Sequence, residues 1–255
     1  MKVVGVVQAR FGSRRLPGKV LAELAGVPML DHIIRRVQAA RRVDEVVVAV
    51  ADEPGSGDVV ETALGLGVLA TLGSPDDVLD RVVGAARTRQ ATVVVRITAD
   101  DPFKDPDVID RVVASLTEEP GVDYASNTLH PTFPEGLDVE AVTLAALESA
   151  WREAALPSER EHVTPFIWNR PDRFTLRSVE HDPDLSALRW TVDYPDDLRF
   201  ARAVYTELAP ATDFGLDAVL DLLDRNPELA RLMPRHVRNE GYAASLADER
   251  RSELR

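Results

Sequence analysis

Two textures of apolar and polar positions repeat along the first half of the chain. Val3–Gln8 is a continuous apolar run, as expected of a strand buried on both faces of a parallel sheet. Asp44–Ala51, Val68–Leu72 and Thr92–Thr98 read as further strands. Helical patterns occupy Met29–Arg41, Asp58–Leu66 and Pro75–Gln90 between them. This alternation is the signature of right-handed βαβ units and predicts an α/β fold with a doubly wound, mostly parallel sheet. The helix starts carry their own chemistry: Ser74 is placed to cap, Pro75 to occupy the first turn, and Asp76 and Asp77 to meet the positive helix end. Asp105-Pro106 repeats the arrangement for a helix running to about Thr117.

After Asn127 the texture changes. Leu129–Gly136 is a proline-punctuated loop, Leu137–Val142 reads as a strand and Thr143–Ala155 as an amphipathic helix. Ser158-Glu159-Arg160-Glu161 reads as a capping box. Strands are expected near Phe174–Val179 and Leu188–Val192, followed by a helix from Pro195 to about Leu208. No Gly/Ser-rich linker or charge block separates this α+β half from the first, so it is expected to extend the same sheet. The organisation predicted is one domain over 1–239, in halves of about 1–127 and 128–239. The polar segment 240–255 is left as a surface helix or frayed tail.

Charge and composition narrow the function. The 255 residues carry a formal net charge of −13, which argues against nucleic-acid or anionic-membrane partners. There is no cysteine, so thiolate chemistry and disulfide scaffolds are excluded. The longest apolar runs are strand-sized, and the run after Met1-Lys2 is too short for a secretory core; a soluble cytoplasmic protein is expected.

Against this acidic background the first 22 residues hold Lys2, Arg10, Arg14, Arg15 and Lys19 and no acid, leaving −18 for the remainder. A basic, glycine-containing loop after the first strand lies where open α/β sheets bind ligands, and its simplest partner is a polyphosphate. It is not a P-loop: five residues separate Gly12 from Gly18, Val20 follows Lys19, and no helix is expected before Met29. No G-x-G-x-x-G is present either. The alternative is a solvated loop whose arginines pair with the acidic surface. Asp100 ends the strand Thr92–Thr98 and Asp193 ends the strand expected before Pro195. If both strands share one parallel sheet, both carboxylates reach its carboxyl edge beside the basic loop. Two carboxylates near a polyphosphate suit Mg²⁺. The histidines lack metal-ligand spacing, which speaks against zinc. Asp193 also fits a turn or capping role, and Asp196 and Asp197 fit first-turn partners of the helix dipole.

The string Gln8-Ala9-Arg10-Phe11-Gly12-Ser13-Arg14-Arg15-Leu16-Pro17-Gly18-Lys19 closely resembles the opening motif of the cytidylyltransferase family, whose best-known members make CMP-sialic acid and CMP-Kdo. The resemblance is nearest to the spore coat polysaccharide branch. It continues through Gly73–Arg81, Arg96–Pro102, Ser126–Thr128, Pro134–Glu140, Ser158–Pro165, Trp190–Leu198 and Asn239–Tyr242. It implies a nucleotide-diphospho-sugar-transferase-like fold, Mg²⁺ on Asp100 and Asp193, and transfer of CMP from CTP to a hydroxyl of an acidic sugar, with a homodimer as the assembly. Arg10, Arg15 and Lys19 would hold the β- and γ-phosphates. Where many branch members carry G-D-C-P, this chain has Ala99-Asp100-Asp101-Pro102, which adds a second carboxylate.

The resemblance places the nucleotide near Ala9, Gly12, Ser13, Gly73, Ser74, Asp77, Arg81 and Arg96. Ser74 and Asp77 are equally explained as helix-start residues, and Arg81 by pairing with Asp77. Arg96 stands out on a strand of Val, Ile and Thr, because a buried Arg needs an anion or a tightly bonded partner. Asn127, Glu135, Asp138, Arg160, Glu161 and His162 match the branch as acceptor or dimer-contact residues. Asn127 as a turn residue, Glu161 as capping partner of Ser158 and His162 as a satisfied helix histidine are the plainer readings. Trp151, Trp168 and Trp190 read as core packing. The rival functions are the same transfer to a non-sugar acid such as a phosphonate, a same-fold enzyme using another nucleotide, and a catalytically silent nucleotide-binding module.

Overall fold

The structure, a computed structural model, describes residues 1–211 and 213–253. The chain opens with β1 (Val3–Ala9). After a loop and a single 3-10 turn at Lys19–Leu21 comes a small hairpin, β2 (Glu23–Leu24) and β3 (Val27–Pro28), then α1 (Met29–Gln38). Next follow β4 (Glu45–Ala51), α2 (Ser56–Gly65), β5 (Leu69–Gly73), α3 (Val78–Thr88), β6 (Val93–Thr98) and α4 (Pro106–Thr117). The second half contributes β7 (Tyr124–Ser126), β8 (Glu140–Thr143), α5 (Leu144–Glu153), α6 (Pro157–His162), α7 (Pro165–Trp168) and β9 (Leu176–Ser178). It closes with α8 (Pro195–Leu208), α9 (Leu216–Arg225), α10 (Pro227–Ala230) and α11 (Glu240–Glu253).

Seven strands form one sheet in the order β5-β4-β1-β6-β8-β7-β9, parallel except where β8 runs against β6 and β7. The period of two in a strand sends the valines of β1 and β4 to opposite faces. Val3, Val7, Val48 and Val50 enter one core, and Val4, Val6, Val47 and Ala49 the other. Helices α1, α2, α4 and α8 cover the first face; α3, α5 and α7 cover the second. The expected doubly wound α/β sheet is therefore present, and it continues across both halves of the chain. No helix among the described residues is long and apolar enough to cross a membrane.

The strand order fixes where a ligand can sit. From β1 the chain winds outward to β4 and β5, then returns to place β6 on the other side of β1. The loops leaving β1 and β6 therefore diverge, opening the crevice at which open α/β sheets take ligands. Gln8 pairs with Thr98 in register and Ala99 N–H donates to Gln8 O (3.1 Å), so the basic loop and Asp100 leave the sheet side by side.

Several local expectations are corrected. Helix α3 starts at Val78 with Asp77 as its cap, accepting from Asp80 N (2.9 Å). Ser74 Oγ instead takes the N–H of Asp77 (3.0 Å) in the preceding turn. Ser158 lies inside α6, where its hydroxyl and N–H both donate to Glu249, so no capping box forms with Glu161. The segment Leu188–Val192 is not a strand of the sheet. Its backbone bonds go to the 135 loop (Glu135 N to Leu188 O, 2.9 Å; Trp190 N to Glu135 O, 2.7 Å) and to Asp100 (Val192 N to Asp100 O, 2.8 Å). Asp193 therefore reaches Asp100 by this lashing rather than by strand pairing. Strand β8 begins three residues later than expected. Of the two alternatives for the segment from 240, the surface helix is the one formed, as α11 packed on α6; the last two residues of that segment lie outside the described residues.

Gly136 allows that lashing. Its φ is +108°, and a Cβ there would stand 2.7 Å from Thr191 N and 2.8 Å from Trp190 C. Gly136→Ala is expected to destabilise the fold by roughly 2–3 kcal/mol, a fall in Tm of about 5–10 °C in thermal unfolding. An unchanged Tm would show that the 135 loop does not press on the 190 segment.

Candidate functional site

The ammonium of Lys19 is the centre of the crevice. Gly18, at φ +71°, turns the chain into the 3-10 turn and sends Lys19 inward, where its side chain is 10% exposed. Nζ donates to Asp100 Oδ2 (2.8 Å), Asp193 Oδ1 (2.9 Å) and Val192 O (2.8 Å), so its three donors have three acceptors. Burial opposes its charge, but the two carboxylates outweigh burial and raise its pKa. Burial likewise opposes ionisation of Asp193, yet Lys19 and Arg15 hold that carboxyl down to about 2. Asp101 does not compete for this site. It is buried, accepting from Lys104 Nζ (2.8 Å) and Thr98 Oγ1 (2.6 Å), an interior ion pair that leaves Asp100 to face the crevice.

Around Lys19 the basic loop is matched by carboxylates from distant segments. Arg15 pairs with Asp193 (2.6 Å) and Glu240 (3.3 Å) and lies over the Tyr194 ring, 5.0 Å from its centroid. Arg10 pairs with Glu53 (3.2 Å), and Glu53 also accepts the Gly12 N–H (2.7 Å). A Cβ at Gly12 would stand 2.8 Å from that carboxylate, so glycine is what lets Glu53 reach the backbone. Ser13 Oγ accepts from Leu16 N (3.3 Å) and shapes the loop. Arg14 is exposed.

On the nucleotide side of the sequence-derived set, Ala9 is buried at the end of β1, next to the crevice. Arg81 is buried against Gly73, donates to Ser74 O (2.5 Å) and pairs with no carboxylate among the described residues. Burial and the nearby Arg10 push its pKa down to about 10. The alternative reading of Arg81, a pair with Asp77, is not made; Asp77 is taken by Arg160. Arg96 has its tightly bonded partner: it donates to Gln8 Oε1 (2.9 Å) and to Glu140, a buried carboxylate that also accepts from Tyr124 Oη (2.5 Å) and Thr164.

The six acceptor candidates do not share one location. Asn127 is fully buried, and its amide bridges Leu137 O and Val139 N (both 2.8 Å) inside the fold. Glu135 is buried against Arg189 (2.5 Å) and accepts from Asn239 N (3.0 Å). Asp138 pairs with Arg238 (2.6 Å), while burial pushes it up to about 6. Arg160 is held by Asp77 and Trp151 O (2.7 Å). Glu161 and His162 both contact Ser245 of α11, and His162 meets the Tyr242 ring edge-on at 5.1 Å, its pKa lowered by burial. Trp190 is core; Trp151 and Trp168 are half-buried at the margin of the second core.

Four residues at or near the crevice escaped the sequence reading: Glu53, Glu140, Arg189 and Glu240. Glu53 follows the carboxyl end of β4 and could have been found by inspecting every such end. Arg189, an arginine among Leu188, Trp190 and Val192, carries the signal that singled out Arg96. Glu140 and Glu240 reach Arg96 and Arg15 across more than 40 residues, and within the family-like segments that contain them neither stands out.

The family profile for cytidylyltransferases matches residues 4–206. The spore coat polysaccharide biosynthesis protein SpsF of Bacillus subtilis is 31% identical over 236 residues, which is 89% of this chain and 96% of that protein. The structure of a cytidylyltransferase from Leptospira borgpetersenii superposes with a TM-score of 0.87 at 28% identity, covering 93% of this chain and 99% of that one. The CMP-2-keto-3-deoxy-manno-octonic acid synthetase in complex with CTP shares the fold, with a TM-score of 0.63 at 21% identity over 81% of this chain and 99% of that one. With a basic loop and two carboxylates meeting at the sheet's switch point, and a match across most of its length, this chain belongs to the cytidylyltransferase family of nucleotidyltransferase enzymes.

Proposed function

We propose that the chain transfers CMP from CTP to a hydroxyl of an acidic sugar of the nonulosonic-acid type, with release of pyrophosphate and with Mg²⁺ as its ion. The observation that carries this reading is the meeting of Lys19 with Asp100 and Asp193 at the carboxyl ends of β1 and β6. The acidic-sugar acceptor is supported by the relatives, one named for spore coat polysaccharide synthesis and one for making a CMP-linked sugar acid.

The donor set fits a hard divalent cation: two carboxylates with oxygen ligands only, already gathered around a positive charge. Asp100 and Asp193 would hold it, and it would supply neutralisation of charge at the α-phosphate. Arg10, Arg15 and Lys19 bind the β- and γ-phosphates, whose oxygens replace the carboxylate oxygens these cations now touch. They stabilise the charge that gathers on departing pyrophosphate, and catalysis is mainly positioning and charge compensation. Ala9, Gly12, Ser13, Gly73 and Arg81 bound the nucleoside side. Arg96 is fixed by Gln8 and Glu140 between this crevice and the acceptor half.

A pyrophosphate-release screen of CTP, UTP, GTP and ATP against acidic sugars and phosphonates tests the reading. Release is expected with CTP, Mg²⁺ and an acidic sugar; turnover with another nucleotide alone, or with phosphonates alone, contradicts it. Asp100→Ala and Lys19→Ala should each lower kcat by about a hundredfold or more with unchanged far-UV circular dichroism. Near-normal turnover in either removes that residue from the machinery.

The same cluster sets a pH dependence. The carboxyl of Asp193 lies below its ordinary value, so it contributes stability above about pH 4 that is lost as pH falls through about 2. Lys19→Met strips the buried cation and should cost on the order of 2 kcal/mol at pH 7. The deficit should narrow as acid protonates Asp193. Denaturant unfolding at pH 7 and pH 3 checks this, and a deficit that does not change with pH would contradict it.

A further inference from the structure

Arg189 is a cation at the crevice that the basic loop does not supply. Its side chain is 6% exposed, and its guanidinium spans three carboxylates from two segments, the 135 loop and the run 193–197. Nη1 meets Glu135 Oε2 (2.5 Å), Nη2 meets Asp193 Oδ2 (3.1 Å), and Nε meets Asp197 Oδ1 (3.4 Å). Asp197, in the first turn of α8, also accepts the N–H of Asp193 and of Tyr194, both at 2.8 Å.

The two oxygens of Asp193 are therefore divided. Lys19 and Arg15 both hold Oδ1, on the side of Asp100; Arg189 alone of these cations holds Oδ2. The loop cations belong to a segment that exchanges partners when phosphates arrive. Arg189 is enclosed, with Glu135 and Asp197 as further anchors, and remains. A lysine could place one charge there, but it lacks the planar fork that reaches three acceptors at once. A carboxylate held at one oxygen presents the other in a set direction, and such outer partners of metal ligands are worth about 10–100-fold in metal affinity.

We propose that Arg189 is a positioning residue for the reaction: it grips Asp193 Oδ2 so that Oδ1 stays turned toward Asp100 for the divalent ion. The Glu135–Arg189–Asp193 chain also ties that ligand to the loop before β8, so the orientation of Asp193 is set from the acceptor half of the molecule. This inference rests on the cytidylyl-transfer reading above.

The test uses Mn²⁺ as probe, with free Mn²⁺ followed by electron paramagnetic resonance on the full chain in the presence of CTP. Wild type is expected to take up Mn²⁺; absence of uptake would overturn the functional reading and this inference with it. Arg189→Gln should weaken Mn²⁺ uptake at least tenfold, and Arg189→Lys at least fivefold. CTP binding measured without metal should move less than threefold in both. The Mg²⁺ concentration giving half-maximal turnover should rise in parallel, with a smaller change in KM for CTP. If Arg189→Gln does not fold, Arg189→Lys decides on the same readouts. Variants that melt earlier yet take up Mn²⁺ as wild type does would make Arg189 a purely structural strut and overturn the proposal.

Discussion

One buried ammonium organises the crevice. Lys19 would be costly to bury alone, and Asp100 and Asp193 would repel one another if brought together without it; each makes the other's position tolerable. Through this contact the loop after β1, the end of β6 and the segment entering α8 become one unit. The backbone bond from Val192 to Asp100 and the third Lys19 bond, to Val192 O, belong to the same knot. Arg15, Arg189 and Asp197 then attach to Asp193 from three directions, and the remainder of the site is built outward from there.

The contacts of this knot differ in strength, and the difference orders what a triphosphate would meet. Arg10 is about half exposed, and its pair with Glu53 is of the kind worth about 0–1 kcal/mol in water. Arg15, a third exposed, shares Glu240 at the start of α11 with the Tyr194 hydroxyl. Both can trade a carboxylate for a phosphate oxygen at little cost. The Lys19 contacts are enclosed and costly to break without a replacement on both sides. A polyanion therefore finds the outer cations available and the inner one guarded. In the folded chain Arg10, Arg15 and Lys19 of this strongly basic loop are already paired with carboxylates from other segments.

The parts of the fold legible in the sequence are those set by local rules. The valine runs of β1, β4 and β6 announce a sheet covered on both faces, and Pro195 with two following acids marks the start of α8 at its observed residue. The recurring strand–helix order leads directly to a switch point beside the basic loop. Legibility fails where two segments far apart satisfy each other. Leu188–Val192 has the composition of a strand, yet its backbone groups find partners in the 135 loop and in Asp100. Ser158 stands where a cap belongs, but a glutamate ninety-one residues away takes its N–H and hydroxyl. Asp101 is a different case: it resembles a second ligand, yet Lys104, only three residues on, claims it in the interior. Asn127 has a turn residue's composition and works as an internal bridge between two backbone groups.

Calorimetric titration of the full chain with CTP, with and without Mg²⁺, addresses the central claim that the acid-balanced cations and the paired carboxylates grip a triphosphate together. Saturable CTP binding that strengthens at least tenfold when Mg²⁺ is present is the result expected of this arrangement. Absence of CTP uptake in the presence of Mg²⁺, or uptake indifferent to the metal, would contradict it.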